Sequence, residues 1–388
     1  MHSNKESILI IIPISPFLNA GGAKQGLNFG LFLRKKGHSV TIIIPDRPRN
    51  KEVKTPVNIQ FILYFRNNII TKGISFFLFV IPSYIKYISK NNIIYVYGGN
   101  IIGVEAIIFL GKILKKKVIF RSTMLGEDDF DTIFRSKPKR LKKYIFDTLD
   151  IYHSLSPEFT NKWKKYFPPQ KVIQVMQGVN TDEYRPVSKK EKDLLRKKMN
   201  IPVSLPVFIS IGYLIRRKGY AEIFRELSTI KSPFKYFVIG DYFVSSEHYL
   251  FSHSAEMQEL YRLAKELLGE KIHFTGSTHM IGKYLAVSDI FILNSSQEGI
   301  PNALLEAMSC GLCPVVKQLP GLEEYLLFNG INAITFENTN HLHNLLNELL
   351  ENPDKCRFIG INARKHILKT ASFENVYNTI FNQFREHP

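Results

Sequence analysis

Residues 290–308 read IFILNSSQEGIPNALLEAM, and their order decides the fold. The run Ile290–Asn294 is short, apolar and rich in branched and aromatic side chains. It reads as a strand buried on both faces, as in a parallel sheet covered by helices. A polar turn containing Gly299 follows. Pro301 stands where a first helical residue is expected, because its missing N–H costs nothing there. Pro301–Ser309 then reads as a helix. A strand–turn–helix unit of this kind, repeated along a chain, makes a doubly wound α/β domain.

The unit does repeat. Around it, Val207–Ile211, Tyr236–Ile239, Ile272–Phe274 and Pro314–Val316 read as strands, and Tyr220–Thr229, Met257–Leu268 and His341–Leu350 as helices. The first half follows the same plan. Ile8–Ile12, Ser39–Ile44, Ile59–Tyr64, Ile93–Tyr97, Val118–Arg121 and Ile151–Ser154 read as strands, with Gly26–Lys36 and Val104–Leu114 as helices between them. The 388 residues therefore predict two Rossmann-like α/β domains, 1–185 and 186–370. They are expected to face each other across a cleft at the C-terminal ends of their strands, where open α/β sheets bind ligands. Pro186–Asn200, with six Lys/Arg, reads as a helix and linker near the boundary. Residues 371–388 add a final helix whose Phe373, Val376, Tyr377, Ile380, Phe381 and Phe384 form one apolar stripe.

The basic excess is lopsided. Residues 1–185 hold 29 Lys+Arg against 13 Asp+Glu, and the remainder 23 against 21, so +16 of the +18 net charge lies in the first half. Such asymmetry points to an anionic partner, a membrane surface, a phosphorylated acceptor or nucleic acid, or else to a well-solvated surface. Arg135, Lys137, Lys139, Arg140, Lys142 and Lys143 crowd nine residues just before Tyr144, Ile145 and Phe146, and Lys115–Lys117 add a second cluster. Basic residues beside aromatic ones suit an anionic membrane surface. Ile74–Ile85 is apolar but only 12 residues long, too short for the ~20 a spanning helix needs. The apolar run Ile8–Ile12 is likewise shorter than a signal-peptide core.

Three segments carry chemistry. In Ser295–Met308, Glu298 precedes the helix and Glu306 lies eight residues later, inside it. The helix start at Gly299, Ile300, Pro301, Asn302, Ala303 and Leu304 offers backbone N–H groups and a positive dipole end to an anion. The two carboxylates could bracket such an anion and accept hydroxyl hydrogen bonds from a ribose and a sugar; they could equally be acids stabilised by the helix dipole. In Gly212–Gly219, a glycine turn after a strand carries Arg216, Arg217 and Lys218, cations suited to clamp a diphosphate and neutralise charge on a departing nucleotide. A solvated basic loop is the alternative. In Pro16–Ala23, Gly21 and Gly22 allow close backbone approach, but no G-x-G-x-x-G dinucleotide fingerprint is present.

Other patterns are weaker. Asp129-Phe130-Asp131 matches a D-x-D metal motif but sits away from these segments, and reads as a surface or acceptor-side acidic loop. Cys310 and Cys313 read as small buried residues rather than a redox pair. No metal site is expected.

Together these segments resemble a GT-B glycosyltransferase of the retaining family 4. Glu298–Glu306 resembles that family's E-x7-E motif, Lys171–Pro186 its interdomain "NGVD…F.P" segment, Gly212–Gly219 its phosphate turn, and Ile272–Gly276 its "V.F.G" strand beside the base. The resemblance implies transfer of a sugar, with retention, from a UDP- or GDP-sugar to a glycan or lipid-linked acceptor, in cell-surface polysaccharide or lipopolysaccharide synthesis. It implies no further cofactor and a cytoplasmic enzyme held peripherally at the membrane's inner face. Glu306 would take the ribose, Glu298 the donor sugar, and Asn302–Leu304 the distal phosphate. Lys218, with Arg217, would hold the diphosphate, Gly22 would approach it, and Gly276 would lie by the base. Tyr213 replaces the family's usual Arg, and no His follows Val118–Arg121. Arg121, Glu127 and Asp128 remain the acceptor-side candidates. A nucleotide-sugar epimerase, an enzyme with a soluble sugar acceptor, or a non-catalytic nucleic-acid-binding protein are the alternative readings; nucleic acid is not the expected partner, given the acid-rich donor segment.

Overall fold

The structure, a computed structural model, describes residues 5–13, 21–45, 55–63, 69–98, 101–123, 129–135, 138–244, 251–319 and 321–386. The chain divides into two compact units, residues 1–178 with 373–388, and residues 179–372.

Unit 1 is built from β1 (Ser7–Ile11), α1 (Gly21–Lys35), β2 (Ser39–Ile44), β3 (Asn58–Phe61), α2 (Ile69–Ser75), a π turn (Phe76–Val80), α3 (Ile81–Ser89), β4 (Ile93–Tyr97), α4 (Val104–Ile113), β5 (Lys117–Arg121), α5 (Phe130–Ile133), α6 (Lys139–Asp147), β6 (Ile151–Ser154), α7 (Pro157–Lys164) and β7 (Val172–Gln174). Its seven strands form one sheet in the order β3-β2-β1-β4-β5-β6-β7, every pair parallel. Strands β1 and β4 are covered on both faces, so their residues are almost all buried.

Unit 2 runs α8 (Lys189–Lys198), β8 (Val207–Ile211), α9 (Tyr220–Ser228), β9 (Lys235–Ile239), α10 (Ser254–Leu268), β10 (Ile272–Gly276), α11 (Ile281–Val287), β11 (Ile290–Leu293), α12 (Asn302–Ser309), β12 (Cys313–Lys317), β13 (Ile334–Phe336), α13 (Leu342–Glu351) and α14 (Pro353–Thr370). Its six parallel strands follow the order β10-β9-β8-β11-β12-β13. The last helix, α15 (Phe373–Glu386), belongs to unit 1. Phe373, Val376, Tyr377, Ile380 and Phe381 enter the same core as Ile8, Ile10, Phe29 and Tyr95. His38 Nε2 meets the Tyr377 hydroxyl at 3.1 Å, fixing the helix's rotation.

The two-sheet α/β architecture is as the sequence predicts; several boundaries differ. The division falls between Gly178 and Val179 rather than after Arg185. Val179–Arg185 go with unit 2 because Arg364 donates to Thr181 O at 3.0 Å and to Tyr184 O at 2.8 Å. Pro186–Asn200 carries the expected helix, α8, capped by Ser188, but it is packed into unit 2 rather than left as a linker, with Arg196 buried against Val287 and Asp289. Gly21 and Gly22 already lie in helix α1, so Gly22 is helical rather than in a loop. Pro301 occupies the cap, with extended ψ of 116°, and α12 begins at Asn302. Strands β7 and β13 are only three residues each, too short for a periodic signal.

Candidate functional site

In each doubly wound sheet the strand order reverses once, between β1 and β4 in unit 1 and between β8 and β11 in unit 2. Such switch points are where open α/β sheets leave a crevice at the strands' C-terminal ends. In unit 2, the turns leaving β8 and β11 carry two of the sequence-predicted segments, and they touch.

The turn after β8 opens with Gly212 at φ +149° and closes with Gly219 at φ +67°, both in the region that favours glycine. A Cβ on Gly219 would lie 2.3 Å from Asn294 O at the end of β11. That close approach is braced: Asn294 Nδ2 donates to Gly219 O at 3.0 Å, and Thr339 Oγ1 donates to Asn294 Oδ1 at 2.9 Å. One helical turn, Arg216–Lys218, fits between the glycines and aims its side chains.

Those side chains part company. Lys218 Nζ reaches Glu298 Oε1 at 2.5 Å, and Arg217 Nη1 lies 3.6 Å from the same oxygen. Arg217 also donates to Gln297 O, while Ser296 N donates back to Arg217 O at 2.9 Å. Glu298 and Lys218 are largely buried, at 10% and 16% exposure, and Arg217 is 40% exposed. Arg216 points elsewhere: it is 72% exposed and pairs with Glu259 at 2.9 Å. The structure thus brings Arg217, Lys218 and Glu298 together and leaves Arg216 out. A carboxylate between two cations holds their donors in place.

Immediately beyond, α12 turns its N-terminus to the same edge, with Asn302, Ala303 and Leu304 in its first turn. Glu306 on that helix is buried, at 6% exposure. The buried Tyr184 hydroxyl lies near this carboxylate, and burial, followed by the negative charge of Glu306, holds it protonated. Arg364 locks Tyr184 in place through its carbonyl and also reaches Ser309 O and Oγ, each at 2.8 Å. Gly276 ends β10 at φ +67° with open space where a side chain would stand, and its carbonyl accepts from Gly240 N at 3.2 Å. Sequence reasoning did not single out Tyr184 or Arg364. Tyr184 lay inside a quoted motif; Arg364 had no local signal, since only the fold brings α14 to α12.

Burial pushes the Cys310 thiol up to about 12, with Glu306 adding to the effect. Cys313 is raised by its contact with Cys356 and by burial. Neither is a ready nucleophile, because the thiolate is the reactive form.

In unit 1, Arg121 ends β5 at 2% exposure. Its guanidinium lies 4.5 Å from the Tyr97 ring centroid, and Nη2 donates to Gln177 Oε1 at 3.1 Å. No carboxylate pairs with it among the described residues. Burial, followed by the Arg121 charge, drives His153 down to about 3. The neutral imidazole accepts from the Tyr95 hydroxyl and donates from Nε2 to Val175 O at 2.7 Å. Gly22 faces Thr123, whose Cγ2 would be 3.6 Å from an added Cβ. Glu127, Asp128 and the Pro16–Ala20 part of the glycine loop lie outside the described residues. Asp129 is not the surface acid expected: it is buried and caps α5 through Thr132 N at 2.9 Å. Among the described residues no group of three or more His, Cys, Asp or Glu could hold a metal ion.

Residues 191–366, all within unit 2, match the family described as Glycosyl transferases group 1. N-acetyl-alpha-D-glucosaminyl L-malate synthase of Bacillus anthracis is 22% identical over 280 residues, 70% of this chain and 69% of that protein. An N,N'-diacetylbacillosaminyl-diphospho-undecaprenol alpha-1,3-N-acetylgalactosaminyltransferase of Campylobacter jejuni is 27% identical over 196 residues, 50% of this chain and 48% of that protein. Among solved structures, Anabaena Alr3699/HepE in complex with UDP superposes with a TM-score of 0.75 at 15% identity, covering 98% of this chain and 100% of that one. A glycosyltransferase from Rickettsia africae gives 0.73 at 17% identity, covering 99% of each. The fold is that of the GT-B glycosyltransferases.

Proposed function

We propose that this chain is a retaining glycosyltransferase that moves a sugar from a nucleoside-diphosphate donor to a glycan or lipid-linked acceptor in cell-surface polysaccharide synthesis. One observation carries the reading: Lys218, Arg217 and Glu298 converge at the switch point of unit 2, beside the N-terminus of α12 and the buried carboxylate of Glu306.

The chemistry follows from these groups. Lys218 and Arg217 take the diphosphate, and the first-turn amides of α12 take its distal phosphate. As the sugar–phosphate bond breaks, negative charge grows on the leaving diphosphate, where these cations stabilise it. Glu306 accepts the ribose hydroxyls, and Glu298 contacts the donor sugar. With retention, the acceptor attacks the face the diphosphate leaves, so a departing phosphate oxygen can take the acceptor's proton. UDP is the favoured nucleotide, because Alr3699/HepE was solved with it. The acceptor class is taken from relatives such as the C. jejuni enzyme. The same reading has the enzyme in the cytoplasm, held peripherally at the inner face of the membrane by its basic unit.

Thermal unfolding in the presence of UDP-, GDP- and ADP-sugars tests it. One class should stabilise the protein, by about 2.7 kcal/mol at 100 times the dissociation constant. Glu306→Ala should lose that shift. No shift with any nucleotide, together with steeply salt-dependent binding of random DNA or RNA, overturns the reading.

A further inference from the structure

Unit 1 buries its sheet unevenly. Helices α1 and α15 pack on one face. The crossovers from β3 to β4, β4 to β5 and β5 to β6 all run the same way along the sheet. Right-handed connections therefore put α3, α4 and α6 together on the opposite face, and α3 packs on α4 as α4 packs on α6.

The outer side of this helix layer is apolar. Phe77 is 71% exposed, Leu78 64%, Ile113 59%, Ile74 53%, Phe109 51% and Ile85 44%. Their spacing is regular: Ile74, Phe77, Leu78 and Ile85 follow one helical stripe, and Phe109 and Ile113 another. The π turn at Phe76–Val80 continues the first stripe, with Phe77 and Leu78 both exposed on it. Soluble monomers rarely expose so much contiguous apolar surface without using it.

The charge around it has one sign. No Asp or Glu occurs between Glu52 and Glu105. Lys86 and Lys90 flank the first stripe, and Lys139 and Arg140 the far edge, all exposed. The nearby acids are already paired: Glu105 with Lys142 at 2.9 Å, Asp147 with Lys143 at 2.8 Å, and Asp150 with Lys112 at 3.0 Å. Unit 1 as a whole holds 29 Lys+Arg against 13 Asp+Glu, a net +16. A second copy of the chain docking here would bring two such surfaces together, and like charges juxtaposed cost binding energy. An anionic lipid surface satisfies both the apolar stripe and the surrounding cations. No described helix is long and apolar enough to cross a membrane, so the layer would lie in the interface plane.

We propose that the outer side of α2, the π turn, α3 and α4 is the face by which unit 1 seats on an anionic bilayer, with Phe77 and Leu78 inserted. This deepens the peripheral-membrane part of the proposed function. It also centres the contact on that stripe rather than on the 135–143 lysine cluster, where Leu141 and Tyr144 face out but Phe146 is fully buried.

The test uses the full chain and sedimentation with phosphatidylcholine vesicles, with and without phosphatidylglycerol, at low and high salt. Wild type should bind the anionic vesicles, and Phe77→Trp should show a blue-shifted emission on binding. Phe77→Ser/Leu78→Ser should bind about tenfold more weakly or worse, since two buried side chains are lost. Its unfolding temperature and its nucleotide-sugar shift should match wild type, so a failure here is distinct from a failure of the donor site. Three results overturn the proposal: wild type that ignores anionic vesicles, a double variant that binds like wild type, or a dimer that the double variant dissolves.

Discussion

The two units share one architecture and use it in opposite ways. In unit 2 charges are matched, 23 Lys+Arg against 21 Asp+Glu, and the functional cations are held by a carboxylate. In unit 1 the excess is +16, and its buried cation, Arg121, meets Tyr97 and Gln177 and, among the described residues, no acid. Matched charge around a rigid turn suits a small anionic ligand that must be bound, activated and released. A surplus of one sign on an exposed apolar layer suits a partner that is large, negative and not shaped to fit. Similar backbones therefore do not imply similar partners; the placement of unpaired charge separates them.

The largest expected effect lies in unit 2. Lys218→Ala should lower sugar transfer by about 10²–10³, as for removing one donor to a transition-state anion. Initial rates at saturating donor measure it. Vesicle binding through unit 1 should be unchanged; its loss would break the division of labour.

Backbone strain comes next. Gly219→Ala forces a side chain into φ +67° and within 2.3 Å of Asn294 O, a backbone atom that cannot swing away. A loss of about 3 kcal/mol in unfolding free energy is expected. Gly37→Ala in unit 1, at φ +95° but with only Lys5 Cε nearby at 3.9 Å, should cost less. Urea unfolding of both variants sharpens the contrast; equal losses would mean the Asn294 brace does not matter.

Acid should separate the units. His153 stays neutral in the fold down to about 3, while an unfolded histidine takes a proton near 6.5. Between those values the unfolded chain binds more protons, so stability falls as pH falls. At about pH 5 this amounts to ~2 kcal/mol at 1.36 kcal/mol per pH unit. Hydrogen exchange in β6 should accelerate on acidification, and His153→Gln should flatten that dependence. Faster exchange in unit 2 first would reverse the assignment.

How legible this was in the sequence depended on range. Strands such as Val207–Ile211 and Ile93–Tyr97 were readable because they are apolar on both faces and bounded by turn residues. That Gly212–Gly219 and Ser295–Glu306 serve one site was implied only by the resemblance; that they meet comes from the pairing of β8 with β11 at the switch point, which no local pattern shows. Arg216 was grouped with its neighbours, since three consecutive cations carry no signal of which one turns outward, and here it turns to Glu259 on α10. The apolar stretch at Ile74–Ile85 could be seen but not placed, because exposure depends on which helix covers it. Arg364 was invisible, acting across 180 residues of sequence on Tyr184.

Tyr184 gives the smallest and finest test. The motif it belongs to resembles one with Phe at this position, so its hydroxyl is an addition, and it feels the charge of Glu306. Tyr184→Phe keeps the ring in its buried slot and removes only the donor. A buried carboxylate that loses a polar neighbour becomes freer to reorient, at a cost of about 1 kcal/mol. If the hydroxyl holds Glu306 ready for the ribose, nucleotide affinity should drop roughly fivefold, while turnover at saturating donor stays near wild type. Glu306→Ala in the same background should then cost no more than in wild type, because the two residues act as one unit. Tighter nucleotide binding by Tyr184→Phe would mean the opposite: that the hydroxyl competes with the ribose for Glu306 and tunes the donor site down.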